Sequence, residues 1–156
     1  MANQSHLEIL KQGIEVWNKW REDHLKIHPD LRGIDFSRSF LKGIDFRAVD
    51  LRGARFMEAD LTNADLYHAN LSYANLNDAK LIKARLLKVN LYKAQLIGAD
   101  LSEANLRGAK LRKTNLSHAN LYKADLAFTD RRGTNLDGAN LTRTNLDLLR
   151  HLSNPP

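Results

Sequence analysis

From Leu31 to Leu146 every fifth residue is Leu or Phe, with one exception at Arg131. The series holds one register over 24 positions, 20 of them Leu and three of them Phe (Phe36, Phe46 and Phe56). Neither regular element accommodates this period. On an α-helix five residues turn about 500°, a net step of roughly 140°, so the leucines would circle the axis without forming a stripe. In a flat strand side chains alternate faces, so residues five apart point to opposite sides. To return each Leu to one interior, the chain has to bend once per repeat. The flanking positions fit that demand. One residue before the centre, 18 of 24 are Asp or Asn, whose short side chains hydrogen-bond nearby backbone and tolerate turn conformations. Two residues before the centre, 14 of 24 are Ala and the rest are Thr, Val, Ile, Ser and Pro, because a narrow interior cannot hold two large groups per repeat. The pattern predicts a solenoid with short sides and a core of stacked leucines.

Stretches such as Ala64-Asp65-Leu66-Tyr67-His68 and Ala69-Asn70-Leu71-Ser72-Tyr73 resemble the pentapeptide-repeat family. The match runs from Pro29 to Leu148, about three quarters of the chain. The resemblance implies an all-β solenoid, a right-handed quadrilateral β-helix with four repeats to a coil. That number comes from the resemblance, since the period alone does not supply it. The 24 repeats then make about six coils. At a strand spacing of ~4.8 Å the rod is roughly 30 Å long.

A solenoid exposes core and unpaired backbone at its ends, so caps are expected there. Residues 1–28 lack the repeat and are read as an N-terminal α-helical cap, residues 29–148 as the β-helix, and 149–156 as a short C-terminal cap or tail. Ser5 with Glu8 forms a capping-box pattern that places a helix start at Ser5. Leu7, Leu10, Ile14 and Trp17 follow at helical spacing with Trp20 close to the same face, and the helix is expected to end near Asp23. Gly13 weakens that helix by about 1 kcal/mol relative to Ala without forbidding it. At the other end, one short helical turn over the last coil is expected after Leu146. The alternative is a two-fold homodimer contact through Leu148, Leu149 and Leu152, so the chain is read as a monomer or a dimer joined at its C-terminal end.

The same residues argue against chemistry. The chain has no Cys, which removes disulfides and thiolate metal sites. His68 and His118 fall on different sides of a four-sided rod, and no two His stand at ligand spacing with an acid, so no metal and no cofactor are expected. Ser72, Ser102 and Ser117 have no His and carboxylate arranged to activate them. Gly33, Gly43 and Gly53 recur with the solenoid as turn residues and signal no phosphate loop. A core filled by Leu and Ala leaves no pocket for a small-molecule substrate. No catalytic residue is assigned, and the chain is read as a non-enzyme. No apolar run is long enough to span a bilayer, and Met1 to Leu10 carries no secretory pattern, so a cytoplasmic, bacterial protein is expected. At Arg131, an inward position, the coil is expected to deform, with Phe128 turning in to replace the missing apolar volume and Arg131 reaching toward Asp130 or solvent.

The remaining reading is a structural or protein-interaction scaffold whose partner the sequence does not identify. One alternative is the family's gyrase-interacting, DNA-imitating type that protects against quinolones. Imitating DNA needs a dense anionic surface, whereas residues 29–148 carry 19 basic and 14 acidic side chains. Direct nucleic-acid binding is a third reading, disfavoured by the mild excess of charge. That excess is uneven. The side built on Leu31, Leu51, Leu71, Leu91, Leu111 and Arg131 carries eight basic residues against Asp30, Asp50 and Asp130. The other sides, those of Phe36, Leu41 and Phe46, count −2, +2 and 0. On the basic side Lys93, Lys110, Arg112, Lys113 and Arg132 fall in neighbouring coils beside Tyr73 and Tyr92, a candidate docking face for an acidic partner. The apolar residues just after four successive centres, Ile82, Leu87, Tyr92 and Ile97, form a belt around mid-rod and are the second candidate contact.

Overall fold

The computed structural model describes residues 2–146, and the expectations placed on Leu148, Leu149, Leu152 and the C-terminal cap lie outside them. Each five-residue unit is one short side and one turn. The turn runs from the inward Leu to the residue three positions on, closed by a backbone hydrogen bond such as Ala54 N–H to Leu51 C=O at 3.0 Å. Its third residue has positive φ in every turn from Gly33 to Arg143, between 54° and 70°, as a type II turn requires. Parallel bridges join residues 20 apart, from Asp30 with Asp50 to Asn120 with Asn140. Four turns therefore close one coil, and each coil hydrogen-bonds only to its neighbours. This is the β-helix type of solenoid.

The repeat around Leu61 shows where its backbone donors go. Leu61 and Asn63 donate to Lys80 and Ile82 of the next coil, Asp65 donates to Ile44 of the previous one, and Ala64 closes the turn on Leu61. The fifth donor, Thr62 N–H, is taken by the Asp60 side chain at 3.1 Å. Every Asp or Asn before a centre, from Asp30 to Asn140, accepts from the N–H two residues on. Unmade backbone hydrogen bonds are costly, and this explains the residue type at that position more fully than turn tolerance does. The interior is a column of Leu and Ala, most of them with no exposed surface. Where Thr stands in for Ala, its hydroxyl is absorbed by a carbonyl, as in Thr114 Oγ1 to Leu91 C=O at 2.7 Å.

The N-terminal segment departs from its expectation in two respects. The helix is broken in two, α1 (Gln4–Leu10) and α2 (Ile14–Asp23). Gly13 separates them at φ +112°, a conformation that ends one helix and starts the next. The first N-cap is Asn3, not Ser5: its side chain accepts from the N–H groups of Ser5 and His6. Trp17 is fully buried and packs edge-on against Phe46, with ring centroids 6.1 Å apart. Phe36, Phe46 and Phe56 cluster beneath it. The helices supply the first coil with partners that a preceding coil supplies elsewhere. Trp17 Nε1 donates to Asp45 C=O at 2.7 Å, Asn18 Oδ1 accepts from Asp45 N–H, Arg21 donates to Arg47 C=O, and Asn3 N–H donates to Asp30 C=O.

The coil does not deform at Arg131. The ladder continues through it, with Leu111 N–H on Asp130 C=O and Lys113 N–H on Arg132 C=O, and its turn closes through Thr134. Phe128 points outward, 66% exposed, with the Arg107 guanidinium over its ring. The turn geometry fixes Phe128 outside, since rotating it inward would break the ladder. Asp130 takes Arg132 as its partner, and Arg131 Nε is buried without an acceptor among the described residues.

Candidate functional site

The basic side presents three columns along the rod axis, set by the five-residue unit. The position before the centre gives Asp30, Asp50, Asn70, Asn90, Lys110 and Asp130. The position after it gives Arg32, Arg52, Ser72, Tyr92, Arg112 and Arg132, and the third column includes Tyr73, Lys93 and Lys113. Rungs in a column lie one strand spacing apart, about 4.8 Å. The structure then shows what a count of charges does not. Arg32, Arg52 and Arg132 each fold back on the Asp two residues before them, with contacts of 2.6 Å to Asp30, Asp50 and Asp130. The hydrogen bonds from Arg132 hold the Asp130 carboxyl down to about 2, and Arg32 does the same for Asp30. The three acids of the face are thus consumed by three of its arginines. Of the expected residues, Arg132 is neutralised in this way and is not a free cation.

Apart from Arg131, which stands at an inward position, Lys93, Lys110, Arg112 and Lys113 remain, all exposed and on two adjacent rungs. Among the described residues none of the four has a carboxylate within ion-pair distance. Lys93 Nζ lies 5.5 and 5.4 Å from the ring centroids of Tyr73 and Tyr92, which meet edge-on. Cation–π attraction places that ammonium without neutralising it. Beside them is a shallow cleft of about 440 Å³ lined by Ser72, Asn90, Tyr92, Lys110, Arg112 and Asp130. It exists because Ser72, a small and buried side chain, sits in a column between Arg52 and Tyr92. Asn90 lines the cleft and uses its Oδ1 on Tyr92 N–H, and among the described residues its amide N–H₂ makes no hydrogen bond. Sequence reasoning missed Ser72 and Asn90. Their signal was present as one small residue in a column of large ones.

The apolar belt is not brought together. Tyr92 belongs to the basic side, while Ile82, Leu87 and Ile97 lie on the other three, the first two half-buried and Ile97 exposed. The belt has a local origin. Six centres lack a preceding Asp or Asn, and four of the six turns that follow carry a large aliphatic residue, namely Met57, Ile82, Leu87 and Ile97. No capped turn carries one. The belt thus tracks turn chemistry.

Among the described residues no group of three or more His, Asp or Glu could hold a metal ion. His6 Nδ1 accepts from Asp30 N–H and His24 lies against Trp20, so both serve local structure. No helix of the described residues is long and apolar enough to cross a membrane.

The family model for pentapeptide repeats matches in 8 copies, over residues 30–66, 59–96 and 90–127. Among solved structures, QnrB1, described as a plasmid-mediated fluoroquinolone resistance protein, is similar at 21% identity and a TM-score of 0.50, covering 72% of this chain and 70% of that one. A pentapeptide repeat protein (Rfr23) from the cyanobacterium Cyanothece 51142 is 22% identical at a TM-score of 0.48, covering 83% of this chain and 95% of that one. HetL from Nostoc sp. strain PCC 7120, a pentapeptide repeat protein involved in heterocyst differentiation regulation, is 27% identical at a TM-score of 0.31, covering 75% and 89%. The likeness to QnrB1 bears on the fold alone. No curated protein matches the chain.

Proposed function

Because the chain belongs to the pentapeptide-repeat family, we propose that it acts as a non-enzymatic protein-interaction module, docking a partner through its one basic side. The observation that carries this is the cluster of Lys93, Lys110, Arg112 and Lys113 on a face whose other surface arginines are all ion-paired. Like charges a few ångströms apart repel, and nothing in the core requires them there. A patch of that kind steers a complementary surface and fixes its register. In this reading residues 1–28 are the N-terminal cap and residues 29–148 a right-handed quadrilateral of about six coils.

DNA imitation at gyrase is the weaker reading. It needs a dense anionic surface, and the rod has 19 basic against 14 acidic residues. A supercoiling assay with and without the protein decides it. The docking reading is tested by crosslinking and pull-down with the wild-type chain and with the triple charge reversal Lys110→Glu, Arg112→Glu, Lys113→Glu. Capture that weakens in the variant and between ~50 and ~200 mM salt is expected. Capture indifferent to both refutes the docking face.

A further inference from the structure

The size and boundaries of the cationic cluster limit what it can hold. Its four free cations occupy two adjacent rungs, about 4.8 Å apart. Toward the N-terminus the face ends in the Asp30–Arg32 and Asp50–Arg52 pairs, and toward the C-terminus in Asp130–Arg132. The positive surface is therefore of order 10 Å along the rod. A duplex presents phosphates about every 1.7 Å of axis and holds its proteins through a long series of them. A surface two rungs long, closed at both ends by neutral pairs, does not offer that series. It matches two or three carboxylates on a chain.

The donors within it are specific in kind. Arg112 offers a planar fork suited to one carboxylate held bidentately. Lys110 stands beside it on the same rung, and the free amide N–H₂ of Asn90 comes from the rung before. Lys93 is held over Tyr73 and Tyr92, and the Tyr92 ring lines the cleft. In an extended peptide, residues two apart share a side at roughly 7 Å. That spacing places one acid at Arg112 and Lys110 and a second toward Lys93, with the residue between them turned away from the rod.

We infer that the cleft formed by Ser72, Asn90, Tyr92, Lys110, Arg112 and the Arg132-paired Asp130 binds a short, extended acidic segment of a protein partner, with carboxylates at alternate residues. This rests on the docking reading above and specifies the element of the partner that the face recognises.

The test is fluorescence anisotropy of the full chain with a labelled octapeptide alternating Asp and Leu. A peptide alternating Asn and Leu and a single-stranded oligonucleotide of twelve bases are the comparators. Two variants of equal charge are compared, Lys110→Glu with Arg112→Glu, and Lys80→Glu with Lys88→Glu on the other sides. The expected result is binding of the Asp peptide alone, weakened about tenfold or more by the first pair and less than about twofold by the second. Equal weakening by both pairs, tighter binding of the oligonucleotide, or no binding of the Asp peptide each overturns the inference. Circular dichroism of both variants confirms that the coils are intact. If a partner is captured through Lys110 and Arg112 but the peptide does not bind, only the acidic segment is refuted. If capture ignores the triple reversal, the docking face itself falls.

Discussion

Replacing Phe40 by Asn should stabilise the rod. Phe40 occupies the position before the Leu41 centre, which at 18 of 24 centres is Asp or Asn. Its ring is 83% exposed and contributes little burial. No Asp or Asn therefore receives the N–H of Lys42, whereas equivalent donors are held at 2.8–3.4 Å wherever the acceptor exists. An Asn at 40 supplies that acceptor, and its amide lies one rung from Asp60, the separation across which Asn120 donates to Asp100 of the preceding coil at 3.1 Å. A net hydrogen bond is worth about 0.5–1.5 kcal/mol, which for a chain of this size is a Tm rise of about 2–4 °C per kcal/mol. Phe40→Ala removes the ring without providing an acceptor, so the difference between the two variants isolates the turn bond. Asn115→Ala, which deprives Ser117 N–H of its acceptor, should cost about the same amount. Urea unfolding followed by circular dichroism measures all three. If Phe40→Asn is no more stable than Phe40→Ala, or if Asn115→Ala is neutral, the account of the Asp and Asn positions is wrong.

Two other perturbations test the N-terminal end and the charged face. Trp17→Ala should lose about 3–5 kcal/mol by emptying a buried site, while Trp17→Phe, which keeps a ring against Phe46 but leaves Asp45 C=O without its donor, should lose about 1–3. A Trp17→Phe variant as stable as the wild type in denaturant unfolding would show that the hydrogen bond of the indole contributes nothing separate. Arg132→Gln should return the Asp130 carboxyl from about 2 toward the ordinary carboxylate range, read by carbon-detected NMR titration. The sign follows from the depressed value. The contribution of this pair to stability is present above the unfolded carboxyl pKa and is lost as pH falls through about 2, so the variant should lack that acid-side loss.

What the sequence made legible was whatever repeats. The Leu series dictated a bend every five residues and a single interior, and the Ala positions dictated how narrow it is. The closure at four repeats was not in the period, because it depends on the angle each turn makes, and that angle is set by a positive φ that Lys, His and Tyr adopt as readily here as Gly. The N-terminal segment was read by apolar spacing, which found Trp17 but not the polar side chains that pair with the first coil. Asn18 and Arg21 carry no pattern that distinguishes them from surface residues on a helix. On the basic side, addition of charges found the right face and overstated its extent. The pattern Asp-x-Arg at 30–32, 50–52 and 130–132 was visible, and each instance is an ion pair. Reading that pattern would have reduced the face to the four cations around the cleft and the inward Arg131.

Arg131 is where the repeat and the structure disagree most plainly, and its replacement by Leu separates a functional cause from drift. The column Leu31, Leu51, Leu71, Leu91 and Leu111 is fully buried, and Arg131 continues it with the backbone ladder unbroken. Its Nε is buried with no acceptor among the described residues, a defect of about 1–3 kcal/mol for a polar group without a partner. The rest of the side chain keeps some contact with solvent, so part of that penalty is relieved. Leu at this position removes the orphan donor and adds apolar contact to Leu111. Replacing buried charge by apolar groups of similar size is often neutral to stabilising. A gain of about 1–2 kcal/mol is expected, the low end of that range because Leu136 and Leu141 beyond it are themselves only partly buried. A loss of stability on Arg131→Leu would mean that the guanidinium has a partner the ladder argument overlooks. Partner capture supplies the second measurement. If the variant is more stable and binds as before, the arginine is a tolerated irregularity near the end of the stack. If it is more stable and binds less, its charge belongs to the docking face, and the cluster extends one rung further than the four free cations.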